Sequence, residues 1–181
     1  MMPDDVRRVE AARSGDRPAL ERLLAERGRV AAAAIASCVR GREDAEDLLQ
    51  ETFLRAVRGI AGLRDAAKFD SWLYGIGRRV ALEGRHQTKA APLMEVAAAQ
   101  EPGHGDGGEK EGRMKRLREA VDRLPGEYRA TLTLFYQGGR SYQEIADLTG
   151  LSRAAVNQRL TRARAILRES LGLREGGCDG V

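Results

Sequence analysis

The stretch SYQEIADLTGLSRAAVNQRLTRARAIL, residues 141–167, decides how the C-terminal part of the chain folds. It begins with Ser141 and has Glu144 three residues later. This is the spacing of a capping box, in which the hydroxyl and the carboxylate each bind a free backbone amide at a helix start. Gly150 then provides a turn, and Ser152 can cap a second helix. The stretch therefore predicts a helix-turn-helix.

The second of these helices has two different faces. Its apolar residues from Val156 to Leu167 are spaced by four, three and four residues, so they form one stripe that can face a core. The opposite face is small or polar, and the run 152–168 contains five arginines and no acid. Asn, Gln and Arg side chains bind base edges in the major groove, and flanking arginines neutralise phosphates. We expect this face to bind DNA through Ser152, Arg153, Ala155, Asn157, Gln158, Arg159, Arg162 and Arg164.

The composition favours helices throughout the chain. Of its 181 residues, 42% are hydrophobic and 32% charged, but only 4% are aromatic, and the net charge is +4. Such a chain is rich in helix formers and poor in the aromatic and β-branched residues that strands prefer. We therefore expect an all-α protein composed of two small helical domains.

Several other classes of protein are not indicated. No run approaches the ~20 consecutive apolar residues of a membrane span, and the acidic start is unlike a signal peptide. Cys38 and Cys178 show neither a metal-ligand spacing nor a disulfide framework. Only two histidines are present, without paired carboxylates or a nucleophile triad. We expect a cytoplasmic protein that is not an enzyme, with no metal, cofactor, small-molecule substrate or membrane insertion.

The periodicity divides the chain into three parts. Residues 1–87 predict one helical domain, with helices near 18–39, 42–57 and 69–85. Residues 88–112 are rich in Ala and Gly and include Pro92 and Pro102, which predicts a flexible linker. Residues 113–181 predict a second domain of three or four helices that ends in a frayed tail.

The segment 43–54 carries a second pattern, with five acidic residues and no basic one. On a helical wheel its apolar residues fill one arc and its polar residues the other, but Leu54 falls within the polar arc. An acidic surface with an apolar centre suggests docking to a basic protein partner. An ordinary amphipathic helix is the alternative. The candidate docking residues are Asp44, Asp47, Gln50, Glu51 and Leu54.

A third pattern combines aromatic and basic residues between positions 69 and 86. Aromatic side chains beside arginines suit stacking on unpaired bases and neutralisation of the backbone. In so small a domain, however, Phe69 and Trp72 can equally belong to the core. The candidate residues are Phe69, Trp72, Arg78, Arg79 and Arg85.

Together these motifs resemble a bacterial RNA polymerase sigma factor of the extracytoplasmic-function (ECF) group in the sigma-70 family. The resemblance covers about residues 16–171. The motif DAEDLLQETF, residues 44–53, is similar to the region-2 helix that binds the clamp of core RNA polymerase. Residues 69–85 resemble the segment that melts and reads the −10 promoter element. The part between Tyr142 and Thr161 resembles the region-4 helix-turn-helix that reads the −35 element.

The resemblance implies core polymerase and promoter DNA as partners, together with an anti-sigma factor. Two positions depart from the family pattern in the −10 helix, because Arg79 and Glu83 stand where many relatives have Asn and Asp. Asn157 and Gln158 likewise replace the frequent Lys and Ser of the recognition helix. Promoter specificity is therefore not expected to follow that of relatives.

Two other functions remain open from the sequence. One is a helix-turn-helix transcriptional regulator with an N-terminal ligand-sensing or dimerisation domain, which leaves the acidic helix with Leu54 unexplained. The other is an enzyme that acts on nucleic acid, for which no catalytic constellation is present. Binding to core polymerase distinguishes the sigma factor from both.

Overall fold

The computed structural model describes residues 3–39, 42–88 and 108–173, and within them all regular structure is helical. Two short 3₁₀ turns, Ile60–Gly62 and Ala66–Lys68, separate the third and fourth helices. The expected all-α fold is confirmed. The helices are α1 (Pro3–Arg13), α2 (Arg17–Ala36), α3 (Arg42–Gly59), α4 (Phe69–Thr88), α5 (Gly108–Arg123), α6 (Gly126–Tyr136), α7 (Tyr142–Thr149) and α8 (Arg153–Ser170).

The structure adds one helix to the predicted set and lengthens another. Helix α1 was not predicted, although Pro3 begins it and two aspartates occupy its first turn, which is favourable at a helix N-terminus. Helix α5 begins at Gly108, so the last five residues of the predicted linker are helical. Good helix formers at 109–111 outweigh the single Gly112. The rest of the linker, 89–107, and the tail 174–181 lie outside the described residues.

Helices α1 to α4 and the 3₁₀ turns surround the core of the first half. Its fully buried side chains include Val9, Leu23, Phe69 and Leu73. Helices α2 and α4 approach closely at Gly77, where a Cβ atom would lie 3.2 Å from the carbonyl oxygen of Ala31. This close approach explains why position 77 is a glycine, although glycine inside a helix costs roughly 1 kcal/mol of stability relative to alanine.

Helices α6, α7 and α8 form the core of the second half around Leu134, Ile145, Val156 and Leu160. The predicted helix-turn-helix is present. The Ser141 backbone amide donates to the Glu144 carboxylate at 2.9 Å, while the Glu144 amide donates to the Ser141 hydroxyl at 3.2 Å. Gly150 has φ +74°, a left-handed conformation that glycine adopts without strain.

The two halves pack against each other. Helix α2 lies along α6, and the start of α4 contacts α7. Ala33 of α2 is fully buried within the second-half core. At the end of α2, Ser37 lies against Gly126 at the start of α6, and the neighbouring Cys38 is half-buried. The sequence pattern predicted two domains joined by a flexible linker, and it gave no sign of this packing.

Candidate functional site

The face of α8 that points away from the core is open to solvent. Its apolar stripe is buried at Val156, Leu160 and Ala163. Five of the eight predicted DNA-contacting residues are exposed, and Ala155, Arg159 and Arg164 are half-buried. Ser152 caps the helix by accepting from the Ala155 amide at 3.1 Å. The exposed members of this face are Ser152, Arg153, Asn157, Gln158 and Arg162.

Two arginines of the predicted set already have partners within the protein. Arg159 forms an ion pair with Glu127 of α6 at 2.9 Å. Arg164 lies over the rings of Phe135 and Tyr136, with its Cζ atom 5.6 and 5.7 Å from their centroids, and donates to the Tyr136 hydroxyl at 3.0 Å. This hydrogen bond raises the pKa of Arg164 above its usual value. Arg164 therefore joins α8 to α6 rather than standing free for a phosphate.

The predicted −10 residues of α4 fall into different environments. Phe69 is 0% exposed in the first-half core, so it has no surface to offer a base. This corrects its assignment as a DNA-contacting residue. Phe69 instead supports Trp72, with the ring centroids 5.8 Å apart. Trp72 is half-buried, and its ring reaches the surface beside α3.

The Trp72 ring borders a small cavity between α3 and α4. The cavity has a volume of about 210 Å³ and is also lined by Arg55, Ile76 and Arg79. Arg78 and Arg79 are exposed. Arg85 lies on the last turns of α4, but its side chain is outside the described residues. The Trp72 ring and the side chains of Arg55 and Arg79 therefore lie at one surface.

Helix α3 carries the residues that the sequence predicted for docking. Asp44, Asp47 and Gln50 are exposed, and Glu51 is half-buried by its contact with Arg55. Leu54 is 51% exposed at the centre of this surface. Thr52 and Ala56 on the other side are fully buried. Val57, three residues further along α3, is 43% exposed and extends the apolar patch beside Leu54.

A larger groove crosses the junction of the halves. It has a volume of about 910 Å³, and its walls come from α2, α3, α5, α6 and α8. Its lining is mainly apolar and includes Leu49, Met114, Leu117 and Tyr136. Met114, Leu117 and Tyr136 are exposed, and Arg118 and Arg168 also border the groove.

In the part of the chain that the structure describes, no three His, Cys, Asp or Glu side chains come together as metal ligands. Nor is any described helix both long enough and apolar enough to cross a membrane.

Family models match both halves of the chain. The Sigma-70 region 2 model covers residues 23–90, and the Sigma-70 region 4 model covers residues 114–167. Region 2 precedes region 4 along the chain, and the two matches fall in the first and second halves of the structure. The chain belongs to the sigma-70 family of RNA polymerase sigma factors. Its relatives place it in the ECF group.

Curated relatives match over most of this sigma factor. It is 31% identical to the ECF sigma factor SigM of Mycobacterium tuberculosis, over 97% of this chain and 88% of SigM. It is 30% identical to the sigma factor CarQ of Myxococcus xanthus, over 91% and 95% respectively. The probable sigma factor RfaY of Xanthomonas campestris is 35% identical over 70% of this chain, which spans only 34% of the length of RfaY.

Solved structures share the fold of both halves. CnrH, in complex with the cytosolic domain of CnrY, has a TM-score of 0.65 and 26% identity, and the alignment covers 93% of this chain and 97% of CnrH. RpoE of Bartonella quintana, in complex with the anti-sigma factor NepR, has a TM-score of 0.59 and 24% identity, over 84% and 96% of the two chains. The latter likeness is to the fold alone.

Three residues that connect helices of the sigma factor were not predicted from the sequence. Arg55 bonds both Glu51, at 2.7 Å, and Glu83 of α4, at 2.6 Å, and these bonds raise its pKa. The spacing of Glu51 and Arg55, four residues apart on one helix, was the available signal. Asp70 and Arg140 pair across the two halves. That ion pair joins positions 70 residues apart and leaves no local signal.

Proposed function

We propose that this sigma factor binds core RNA polymerase through α3 and reads promoter DNA through α4 and α8. The observation that carries the proposal is the pair of exposed surfaces with opposite chemistry. The α3 surface is acidic around Leu54, whereas the α8 surface is basic and rich in hydrogen-bonding side chains. The first half, residues 1–87, acts as region 2, and the second half, residues 113–181, acts as region 4.

Helix α3 supplies the polymerase contact. Leu54 offers an apolar anchor, and the surrounding Asp44, Asp47 and Gln50 are free to complement a basic partner. Glu51 contributes acidity while it holds Arg55. The opposite face of α3 is part of the core, so changes on the docking surface leave the fold intact.

The α3 assignment predicts the effect of reversing its charge. Asp47→Arg combined with Glu51→Arg abolishes binding to core polymerase, and Leu54→Asp acts similarly. Pull-down with purified core enzyme measures the loss, and circular dichroism verifies the fold. A matched control is Glu10→Arg, an exposed charge reversal on α1, a helix that packs mainly on α2 and the 3₁₀ turns. Full binding by the α3 variants would refute the assignment.

Helix α8 reads the upstream element. Asn157, Gln158 and Arg162 are exposed and can reach base edges in the major groove, while Arg153 and Arg159 lie near the phosphates. Ser152 and Ala155 belong to the first turn, where small side chains permit close approach. Arg164 stabilises this helix from behind.

Helix α4 reads the downstream element with Trp72, Arg78, Arg79 and Arg85. The cavity beside Trp72 lies between two arginines, so an unpaired base could stack on the indole while its phosphates meet guanidinium groups. Phe69 contributes by holding the ring of Trp72 in place. Glu83 acts indirectly, because it orients Arg55 beside the same cavity.

An anti-sigma factor is the remaining proposed partner. CnrH and RpoE were solved in complexes, the latter with the anti-sigma factor NepR. In this chain the groove of about 910 Å³ offers a mainly apolar surface bordered by Arg118 and Arg168. It could bury the apolar side of an amphipathic helix, the groove-binding mode of many peptide partners. Such binding would act in the cytoplasm, where polymerase resides.

In vitro transcription tests the proposed function. Core RNA polymerase alone and core polymerase with this chain are compared on genomic DNA fragments, and the transcripts are sequenced. We expect new start sites that share two upstream elements. A chain that binds DNA but yields no polymerase-dependent transcripts would instead support the helix-turn-helix regulator, which the match of residues 23–90 to region 2 disfavours.

A further inference from the structure

Arg55 belongs to α3, yet it lines the cavity beside Trp72 together with Arg79 of α4. Its Nε atom donates to Glu51, one turn earlier on α3, at 2.7 Å, and its Nη1 atom donates to Glu83 of α4 at 2.6 Å. No residue that the structure describes accepts a hydrogen bond from its Nη2 atom. The guanidinium is therefore held through Nε and Nη1, and Nη2 remains for a ligand.

The cluster of Arg55 with its two carboxylates contributes little to stability. The side chains of Arg55, Glu51 and Glu83 are 36%, 40% and 48% exposed, and ion pairs at such exposure are weak. The two carboxylates do restrict a long side chain that would otherwise adopt many rotamers. Because Arg55 is ordered before a ligand arrives, the entropy cost of binding that ligand is lower. The cluster is therefore better suited to positioning Arg55 than to holding α3 on α4.

The two arginines of the cavity differ in their electrostatic surroundings. Arg55 has two carboxylates beside one guanidinium, so this cluster carries a net negative charge and does not attract a phosphate. Arg79 is exposed and forms no ion pair with any residue in the described part of the chain. Arg79 is therefore the cation for the DNA backbone, and the remaining donors of Arg55 suit the edge of an uncharged base.

The chemistry of a guanidinium selects among bases. It has donors and no acceptor, so it pairs with a base edge that presents acceptors. Guanine presents the acceptors O6 and N7 on the edge where adenine presents an N7 acceptor and an amino donor. The fork of a guanidinium contacts both acceptors of guanine at once. Beside the stacking surface of Trp72, Arg55 therefore favours guanine over adenine.

We propose that Arg55 is a further DNA-reading residue of the −10 site, and that it selects guanine over adenine for the unpaired base that stacks on Trp72. Glu51 and Glu83 are positioning residues, because they hold its guanidinium beside the cavity. The inference rests on the proposed role of α4 in reading the −10 element. It adds to that role a residue of the neighbouring helix and the base that this residue prefers.

Binding of single-stranded DNA to the assembled holoenzyme tests the proposal. The probe is a fluorescent oligonucleotide with the downstream element shared by the chain's own transcripts, and guanine or adenine is placed at each position in turn. We expect one position at which wild type binds guanine about tenfold more tightly than adenine. Arg55→Lys keeps the charge but loses the fork, so it should bind the adenine oligonucleotide like wild type and lose the preference for guanine.

Arg79→Ala is the contrasting variant at the same cavity. It should keep the preference for guanine, because the base edge is still read by Arg55. The salt dependence of binding should fall by about one phosphate contact. Arg55→Lys should leave that salt dependence unchanged. The two variants thus separate base reading from backbone neutralisation.

A double variant separates base reading from simple neutralisation of Glu83. Arg55→Gln leaves this carboxylate without its partner, so weaker binding would also follow from repulsion of the DNA. Arg55→Gln combined with Glu83→Gln removes the carboxylate charge as well. We expect the double variant still to lack the preference for guanine, whereas an Arg55 that acts only as a counter-ion predicts its full recovery. Glu83 is changed rather than Glu51, because Glu51 also lies on the docking surface.

Gly59→Ala tests the cavity without changing a charge. A Cβ atom at this position would lie 3.4 Å from the Cζ2 atom of Trp72, an ordinary contact that adds a methyl group to the cavity wall. We expect it to weaken binding of the guanine oligonucleotide at least about threefold. Gly62→Ala, in the following 3₁₀ turn, is the matched control, because a Cβ atom there meets nothing within 4 Å. The control should bind like wild type.

Four results would overturn the inference. They are a full preference for guanine in Arg55→Lys, its recovery in the double variant, unchanged binding by Gly59→Ala, and a wild-type holoenzyme that binds the oligonucleotide but prefers guanine at no position. Each of these leaves the proposed role of α4 intact, because the oligonucleotide is still bound. A wild-type holoenzyme that does not bind the oligonucleotide at all would refute that role, and the inference with it.

Discussion

Helices α4 and α8 are the two candidate DNA readers, and they differ in how much of their surface the fold uses. Helix α8 packs on one side only, and five of its eight predicted contact residues are exposed. Helix α4 lies between α2, α3 and the second half, so Phe69 and Asp70 are buried and Tyr74 contacts the second-half core. A helix packed on one side keeps a ready-made binding face, whereas one packed on several sides reveals part of its face only after a rearrangement.

The largest predicted effect is on stability, and it distinguishes the buried Phe69 of α4 from the exposed Gln158 of α8. Phe69→Ala should destabilise the protein by about 3 to 5 kcal/mol, because it leaves a cavity in the first-half core. Gln158→Ala should leave the melting temperature almost unchanged. Thermal denaturation followed by circular dichroism measures both. A stable Phe69→Ala variant with a selective loss at the −10 element would restore Phe69 as a DNA-contacting residue.

The next effect concerns base reading by α8. Gln158→Ala and Arg162→Ala should each cost about 1 to 3 kcal/mol on the preferred upstream sequence if the lost contact is bidentate, and should change sequence preference. Fluorescence anisotropy on specific and random duplexes gives the two affinities. Equal losses on both duplexes would show that these residues contact only the backbone.

Arg164 should behave differently from its neighbours on α8. Because its guanidinium lies over two aromatic rings and bonds Tyr136, Arg164→Ala should lower the stability of the second half by about 1 kcal/mol. The number of phosphate contacts, taken from the salt dependence of DNA binding, should stay the same. Arg153→Ala is the control, and it should reduce that slope by about one contact. If Arg164→Ala reduced the salt dependence of DNA binding, Arg164 would be a phosphate contact after all.

The smallest effect is a pH dependence in the capping box. The Ser141 backbone amide, followed by its hydroxyl, lowers the pKa of Glu144 below its usual value. The carboxylate therefore stabilises the fold above its unfolded pKa of about 4.3, and that contribution is lost as the pH falls through the lower folded pKa. The difference in melting temperature between wild type and Glu144→Gln should shrink as the pH falls from 6 to 3. A constant difference would contradict this linkage.

Local patterns were sufficient wherever a helix is specified by its own residues. The helix-turn-helix could be predicted from Ser141, Glu144, Gly150 and Ser152, because capping hydrogen bonds join residues only a few positions apart. The same holds for α3, whose wheel places Leu54 outside the core arc. The exposed members of the α3 and α8 surfaces were identified from the sequence for this reason.

Contacts between distant segments could not be predicted in the same way. Gly126 marks a break after Pro125 in the sequence, but its close approach to Ser37 depends on how two halves meet. Phe69 gave an ambiguous signal, since an aromatic residue beside arginines suits a core or a base equally. Helix α1 is short, and nothing in its composition revealed that Val9 and Ala12 complete the core of the first half.

The half-buried Cys38 provides a native chemical probe of the junction. Its Sγ atom lies 3.3 Å from the Ser37 hydroxyl, beside the carbonyl that Gly126 approaches. A thiol reagent should reach it faster whenever α6 moves away, so its alkylation rate in a Cys178→Ser background reads out the opening of the chain over time. The same reaction, followed by mass spectrometry during holoenzyme assembly, would show whether any step exposes the junction.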